Sequence, residues 1–306
     1  MKARHRTTII ASVCLAGFFA TSVLVLRSID RRRPQSTLED VLYISSPKVL
    51  KRVSLGYDGL LADIYWTRAV QYFGGQHSSG RSDFKLLAPL LEITTNLDPQ
   101  LVVAYQFGGS FLAPPPPNGA GQPDRAIQLL EYGIRNNPNE WRLYYNLGFV
   151  YYMDRKDYAH ASEAFERGSH VPGAHPFLKV LAANMAQHAG EYQTARLLWA
   201  TTYETTQEKA IRVNAAEHLR DLKVDEDVTN LQAAVTRFGE KTGRLPSSIY
   251  ELARAEGFSI PVDPSGKTYK MDERGRILVQ QPDDFPLATK GLPPGYSPVG
   301  KFLGPK

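Results

Sequence analysis

The chain has 306 residues, of which 42% are apolar and 22% are charged, a composition that can bury a core and excludes an intrinsically disordered protein. Seven of the 36 basic residues and one of the 31 acidic residues precede Pro34, which leaves 29 basic against 30 acidic in the rest. The rest of the chain therefore lacks the positive charge that a nucleic-acid-binding domain needs to contact phosphates, and that class is excluded.

A stretch of twenty uncharged and mostly apolar residues runs from Thr7 to Leu26. Its length suits one crossing of the hydrocarbon layer, so it predicts a transmembrane helix within residues 1–33 that contacts the lipid bilayer through residues 7–26. A cleaved signal peptide is the alternative. The only cysteine, Cys14, lies in this stretch, which excludes an intramolecular disulfide.

Residues 34–54 are polar and contain two prolines, which is typical of a linker. From residue 55 to residue 222, apolar residues recur with the period of a helix. Within this part, small residues such as Gly148 and Ala161 would let two helices approach closely, and aromatic residues would fill the space between them.

The spacing of these residues is repeated along the chain. The clearest unit contains Trp141, Tyr144, Leu147, Gly148, Tyr151 or Tyr152, Tyr158, Ala161, Phe165, Gly168 and Pro172. The next contains Ala183, Ala186, Gly190, Tyr192, Ala195 and Trp199. Both resemble the tetratricopeptide repeat, with one residue inserted before Asp157 in the first.

The resemblance implies an all-α solenoid of four helix pairs. They are expected at about residues 55–100, 101–139, 140–175 and 176–208, followed by a capping helix at 209–222. The four consecutive prolines at 114–117 cannot be helical, so we expect them to form a loop within the second pair.

In the tetratricopeptide family, the first helix of each pair lines a concave surface that binds a protein partner. The resemblance places this partner-binding groove at Asp63, Trp66, Val70, Tyr105, Gly109, Arg142, Tyr145, Phe149, Tyr152, Val180, Asn184 and Gln187. The alternative for Tyr145, Phe149 and Tyr152 is that they only pack between helix pairs, because aromatic side chains serve both purposes.

The pattern changes after Asp225. We expect a helix from Val228 to about Lys241, a short helix from Ser247 to Glu256, and a hairpin that turns at residues 272–275. This order, over residues 225–281, resembles the carboxy-terminal part of type II secretion major pseudopilins, which implies a small α+β module outside the cytoplasm. Residues 282–306 are rich in proline and glycine and predict an extended or disordered tail.

No motif typical of catalysis or of metal binding occurs in the sequence. His170, His175 and His218 lack the spacing of a zinc site, and no phosphate-binding loop or serine-nucleophile motif is present. Some pseudopilins hold calcium in a carboxy-terminal loop, but around Asp263 and Asp272 a plain turn accounts for the sequence. We therefore expect no catalytic residues, cofactor or metal, and no enzymatic activity.

Taken together, these features predict a single-pass protein of the bacterial inner membrane, a signal-anchor protein whose helical repeats lie outside the cytoplasm. Such a protein would be a scaffold that binds protein partners in an envelope-associated assembly for secretion, pilus formation or polysaccharide export. The alternative is a pilin-like structural subunit of such an apparatus, and a third, less favoured, is an envelope enzyme.

Overall fold

A computed structural model of the chain describes residues 15, 17–25, 27, 47–80 and 82–296. They fall into two units, residues 1–55 and residues 56–306. Residues 17–25 are helical and, with helix α1 (Pro47–Val53), belong to the first unit.

The predicted transmembrane helix is only partly covered by the described residues, because residues 7–14, 16 and 26 lie outside them. Within the part of the chain that the structure does describe, no helix is both long enough and apolar enough to cross a membrane. Most of the predicted linker at 34–54 and the last ten residues of the predicted tail also lie outside the described residues.

The second unit is mostly helical, as the sequence predicts, and its first eight helices form four consecutive pairs. They are α2 (Asp58–Ser78) with α3 (Leu87–Leu97), α4 (Val102–Leu112) with α5 (Pro123–Asn136), α6 (Trp141–Phe149) with α7 (Tyr158–Ser169), and α8 (Phe177–Ala189) with α9 (Tyr192–Thr205). The four prolines at 114–117 lie in the loop between α4 and α5.

In the second and third pairs, glycines allow the two helices to make close, antiparallel contact. A Cβ atom placed on Gly148, late in α6, would lie 2.5 Å from the ring of Phe165 in α7. One placed on Gly168, at the end of α7, would lie 2.7 Å from Cβ of Tyr144, early in α6. Side chains larger than hydrogen would therefore push the helices apart.

The residue inserted before Asp157 is accommodated by a π-helical turn, Val150–Arg155, which follows α6 directly. A π-turn holds one residue more than an α-turn, so the extra residue is taken up before α7 begins. Lys156 then adopts a left-handed conformation with φ of 55° and ends the turn. Asp157 caps α7 by accepting a hydrogen bond from the backbone N–H of His160.

The boundary expected between residues 222 and 225 is not a break in the helix. Instead of a capping helix at 209–222 and a separate helix from Val228, the structure has one 34-residue helix, α10 (Lys209–Thr242). Its first half packs on α9, where Leu222 joins the core around Trp199, and its second half, from Val224 onward, forms the core of the carboxy-terminal module. No glycine or proline interrupts residues 209–238, so the helix continues across both cores.

The carboxy-terminal module packs around the second half of α10. It contains α11 (Ile249–Glu256) and two short antiparallel strands, β1 (Lys270–Met271) and β2 (Ile277–Leu278). The strands hold only two residues each, so the β part of the predicted α+β module is small.

The expectation of an extended or disordered tail is wrong for residues 282–296. A short 3₁₀-helix, Pro282–Asp284, leads into Phe285, which is buried in the core of the module together with Ala288. Composition alone misleads here, because the groups that hold these residues lie more than 60 positions earlier, on α10.

We predict that Gly148→Ala lowers the free energy of unfolding by about 1–3 kcal/mol, because the new methyl group would overlap the ring of Phe165. The matched control is Gly74→Ala in α2, where nothing lies within 4 Å of the added Cβ. There the substitution should be neutral or stabilising by up to ~1 kcal/mol, because alanine favours the helix. Urea unfolding of both variants tests this, and equal effects would contradict the close contact.

Candidate functional site

A pocket of about 560 Å³ lies between the first helices of three successive pairs. We call it the first-helix groove. Its lining comprises Gln106, Phe107 and Ser110 of α4, Trp141, Arg142, Tyr145 and Asn146 of α6, and His175, Phe177 and Leu178 at the start of α8.

The walls of the first-helix groove are mainly aromatic. Phe107 is 49% exposed and Phe177 is 46% exposed, and Trp141 and Tyr145 are half-buried. The rings of Trp141 and Tyr145 meet edge to face, with their centroids 6.2 Å apart. Aromatic faces left open to solvent in a concave site are typical of surfaces that bind a ligand or a partner.

One arginine is held at the edge of the groove. The Arg142 guanidinium lies 4.8 Å from the ring centroid of Trp141, and its Nη1 is 3.0 Å from Oε1 of Glu140. Glu140 also accepts a hydrogen bond from the Arg142 backbone N–H and so caps α6. The groove lining itself contains no carboxylate among the described residues, so a cation and aromatic rings define its chemistry.

The predicted groove residues of α2 and α6 are found at or near the surface. Arg142 and Tyr145 line the groove. Trp66 is partly exposed, and its ring centroid lies 6.2 Å from that of Phe107, which extends the aromatic surface toward α2. Asp63 and Val70 are exposed on the same helix but do not line the groove.

Further predicted residues pack next to the groove without lining it. Phe149 and Tyr152 are half-buried, and Phe149 contacts both Tyr145, at a centroid distance of 4.7 Å, and Phe165 of α7. Phe149 and Tyr152 therefore pack against the core cluster of Ala161, Phe165, Ala182 and Met185, to which α7 and α8 contribute, and do not line the groove. Val180 and Asn184 of α8 are partly buried and outside the lining.

Two predictions on α4 are wrong by one residue. Tyr105 and Gly109 are buried, because Tyr105 packs on Gly133 and Gly109 packs on Leu130 of the paired helix.

These contacts make Gly109 the counterpart of Gly148. The positions equivalent to Tyr145 and Phe149 are then Gln106 and Ser110, and both line the groove. Adjacent glycines at 108 and 109 allow either register, so the sequence pattern does not distinguish them.

Gln187 was also expected to face the partner, and this is wrong because its side chain is only 1% exposed. Its Nε2 donates to Oδ2 of Asp225 at 2.9 Å and to the carbonyl of Leu287 at 3.1 Å. Since the amide nitrogen is the donor, Oε1 accepts, and His218 must carry its proton on Nδ1 to donate across the remaining 2.9 Å. Gln187 thus belongs to a buried polar network and not to the groove.

Residues that the sequence analysis did not assign to the groove make up most of its lining, above all Phe107, Trp141 and Phe177. In the sequence, large apolar residues at helical spacing indicate a core. One signal for a groove position was available: Trp141 and Phe177 each stand at the first position of a first helix, where the neighbouring pair does not cover them.

Comparisons with known proteins add little to this geometry. No family model and no curated protein matches the chain. A solved structure entitled "Functional Characterization of Pseudomonas Aeruginosa pilF" is 20% identical and covers 69% of this chain and 87% of its own, with a TM-score of 0.36. At that score the likeness carries no argument, and the assignment of helix pairs rests on the contacts described above.

Within the described part of the chain, no group of three or more His, Cys, Asp or Glu side chains is placed to hold a metal ion. Asp263, for which a calcium loop was weighed, is buried. Its Oδ1 accepts hydrogen bonds from the backbone N–H groups of Ser265 and Lys267 and so closes a turn.

The buried network around Gln187 should respond to pH. The imidazole of His218 stacks on Trp199 with a centroid distance of 4.0 Å, and burial, aided by His188, lowers the pKa of His218 to about 4. The unfolded chain takes up a proton below pH 6.5, whereas folded His218 does so only near pH 4. Stability should therefore fall as the pH falls from 6.5 to 4.

We predict that this loss is roughly 3 kcal/mol at most. His218→Phe keeps a ring against Trp199 but cannot titrate, so it should remove this part of the pH dependence even if it lowers stability at pH 7. Burial raises the pKa of Asp221 and of Asp225, which stabilises the fold as the pH falls and so opposes the effect of His218. The wild type and His218→Phe share this contribution, so the difference between their pH dependences isolates His218. Urea unfolding from pH 4 to 7.5, with exposed His170→Phe as the control, tests it. An unchanged slope in His218→Phe would refute the assignment.

Proposed function

We propose that this chain is a helical-repeat scaffold that binds a segment of a partner protein in the first-helix groove. The observation that supports this best is the set of aromatic side chains from α4, α6 and α8 that face one open concavity. Its volume of about 560 Å³ lies within the roughly 300–1,000 Å³ typical of binding pockets.

The composition of the groove favours binding over catalysis. The titratable side chains in its lining are Arg142, Tyr145 and His175; the lining has no carboxylate to act as a general base or to orient the imidazole, and Glu140, next to the groove, is hydrogen-bonded to Arg142. Exposed rings around a central concavity instead resemble the centre of a protein interface, where aromatic residues and arginine contribute most of the binding energy. We therefore propose a role without enzymatic activity and without a cofactor.

The same side chains indicate which segments would bind. Phe107, Trp141 and Phe177 offer apolar surface, and Arg142 offers a positive charge that no carboxylate of the lining opposes. A segment with a bulky apolar residue next to an acidic one would complement both features. Because the Arg142 guanidinium already donates a hydrogen bond to Glu140, we expect the apolar contact to contribute most of the affinity.

We further propose that residues 7–26 anchor the protein in the bacterial inner membrane, with the repeats outside the cytoplasm and acting in an envelope-associated assembly. The uncharged stretch from Thr7 to Leu26, with its basic flanks, supports the anchor. The resemblance of residues 225–281 to pseudopilins supports the location and is an argument by analogy alone.

A pilin-like structural subunit remains the alternative, and the course of α10 speaks against it. A pilin-like module that acts by itself would need its own first helix. Here that helix begins at Lys209, packs on α9, and shares Leu222 with the core around Trp199 before it enters the module. The module is thereby tied to the repeats, which favours the scaffold.

Peptides selected from a random displayed library on the second unit provide the probe for the groove. We expect them to carry a bulky apolar residue, and we expect Tyr145→Ala and Phe107→Ala each to weaken binding by about tenfold or more, since each removes an aromatic contact from the centre of the site. Fluorescence anisotropy with a labelled peptide measures the dissociation constant.

Leu197→Ala is the matched control for this experiment, because Leu197 is exposed on α9 and lies outside the groove lining. It should bind the peptide as the wild type does. Circular dichroism spectra and melting temperatures verify that the groove variants are folded. Equal affinities for the wild type, Tyr145→Ala and Phe107→Ala would refute the groove as the binding site.

Alkaline phosphatase fused after Lys306 reports on the proposed topology, because this enzyme needs disulfides that form only outside the cytoplasm. We expect an active fusion in the full-length chain and an inactive one when residues 1–33 are deleted. An inactive full-length fusion that is present in normal amount would contradict the proposed location without affecting the groove.

A further inference from the structure

A second surface of the protein is organised around the backbone of a peptide segment. It is formed by Gln187 at the end of α8 and by Asp221 and Asp225 on α10, and we call it the α8–α10 face. The segment that lies on it comprises residues 285–291 of the same chain. All three side chains of the face are almost fully buried under it.

The α8–α10 face binds the segment through hydrogen bonds to its backbone. Asp221 Oδ2 accepts from the Leu287 N–H at 2.9 Å, and Gln187 Nε2 donates to the Leu287 carbonyl at 3.1 Å. Asp225 Oδ1 accepts from two successive N–H groups, those of Thr289 at 2.7 Å and Lys290 at 2.8 Å. Hydrogen bonds from backbone N–H groups to a carboxylate are among the stronger ones in proteins.

Few features of the segment's own sequence enter these contacts. The Thr289 hydroxyl donates to Asp225 Oδ2 at 3.0 Å, and Phe285 and Ala288 are both buried in the core of the module. Gly291 has φ of +74°, and a Cβ there would lie 2.7 Å from Val228 of α10. The requirements are thus an aromatic residue, a small residue three positions later, free N–H groups, and a glycine.

The segment is attached mainly through side chains. Among the described residues, two backbone–backbone hydrogen bonds join it to residues outside it: the Phe285 N–H donates to the Pro282 carbonyl at 3.0 Å, and the Val279 N–H donates to the Gly291 carbonyl at 2.9 Å. It takes no part in the two-stranded sheet. Segments held in this way open with a smaller free-energy cost than the helices they cover.

We propose that the α8–α10 face is a binding site for a short peptide segment, which in this structure is occupied by residues 285–291 of the chain itself. The partner it fits is a segment of neutral or positive charge that can adopt the same turn and carries the pattern described above. Asp221 is already paired with the Arg220 guanidinium at 2.8 Å, but the buried carboxylate of Asp225 has no such ion pair among the described residues and disfavours an acidic segment. This site is separate from the first-helix groove, and its occupant must leave before a partner can enter.

The test removes the internal occupant without changing the face. Lys290→Pro deletes the N–H that donates to Asp225, whereas Lys290→Ala at the same position keeps it. The probe is a fluorescent synthetic peptide with the sequence of residues 285–293, which carries one positive charge, on Lys290, and no acidic side chain. We expect the full-length Lys290→Pro variant to bind it about tenfold or more tightly than the wild type or Lys290→Ala does.

Adding Asp225→Ala to Lys290→Pro should abolish this gain, because the acceptor of both N–H groups is then lost. Equal binding by the wild type and Lys290→Pro, or a gain that survives Asp225→Ala, would overturn the proposal. None of these outcomes depends on Tyr145 or Phe107, so the result is independent of whether the groove binds peptides.

Hydrogen exchange in the wild-type chain provides a second test that needs no variant to fold. We expect the amides of Leu287, Thr289 and Lys290 to exchange together and faster than the amide of Leu231 in the core of α10. Exchange of these amides at the rate of Leu231 would show that the segment leaves only when the whole domain unfolds, and would also overturn the proposal.

Discussion

The close approach of the two helices in the second and in the third pair is the constraint on which the rest of this structure depends. Gly148 faces Phe165, and Gly109 faces Leu130, at distances that leave no room for a Cβ atom. These contacts use one side of each first helix and so determine which residues point away from the partner helix. The groove-lining residues follow from that choice, since Tyr145 and Gln106 stand at equivalent positions in neighbouring pairs.

A long helix makes the repeats and the carboxy-terminal module parts of one unit. The first half of α10 completes the core around Trp199, and the second half supplies Val228, Leu231 and Phe238 to the core of the module. The polar network of Gln187, His218 and Asp225 lies where the two cores meet. Because buried polar groups need partners, this network makes the position of residues 285–291 depend on both halves of the helix.

The two proposed binding surfaces have opposite chemistry. The first-helix groove presents aromatic rings and the Arg142 guanidinium, and it would select a partner by its side chains. The α8–α10 face presents two carboxylates and an amide, and it contacts mainly backbone groups. A partner suited to one surface is therefore poorly suited to the other, so the two sites would bind different segments.

The sequence by itself determined the helical class and the paired arrangement, because small residues and aromatic residues recur at spacings that only stacked helices can use. The one irregularity in this spacing, the residue inserted before Asp157, is taken up by the π-turn. It also indicated Arg142 and Tyr145 as surface residues of a first helix. Only the tertiary structure decided the register of α4, the continuity of α10 and the burial of Gln187, Phe285 and Asp225. Periodicity reports which side of a helix is apolar, but it does not report which distant segment covers that side, and adjacent glycines or buried carboxylates acquire their roles only from partners far away in the chain.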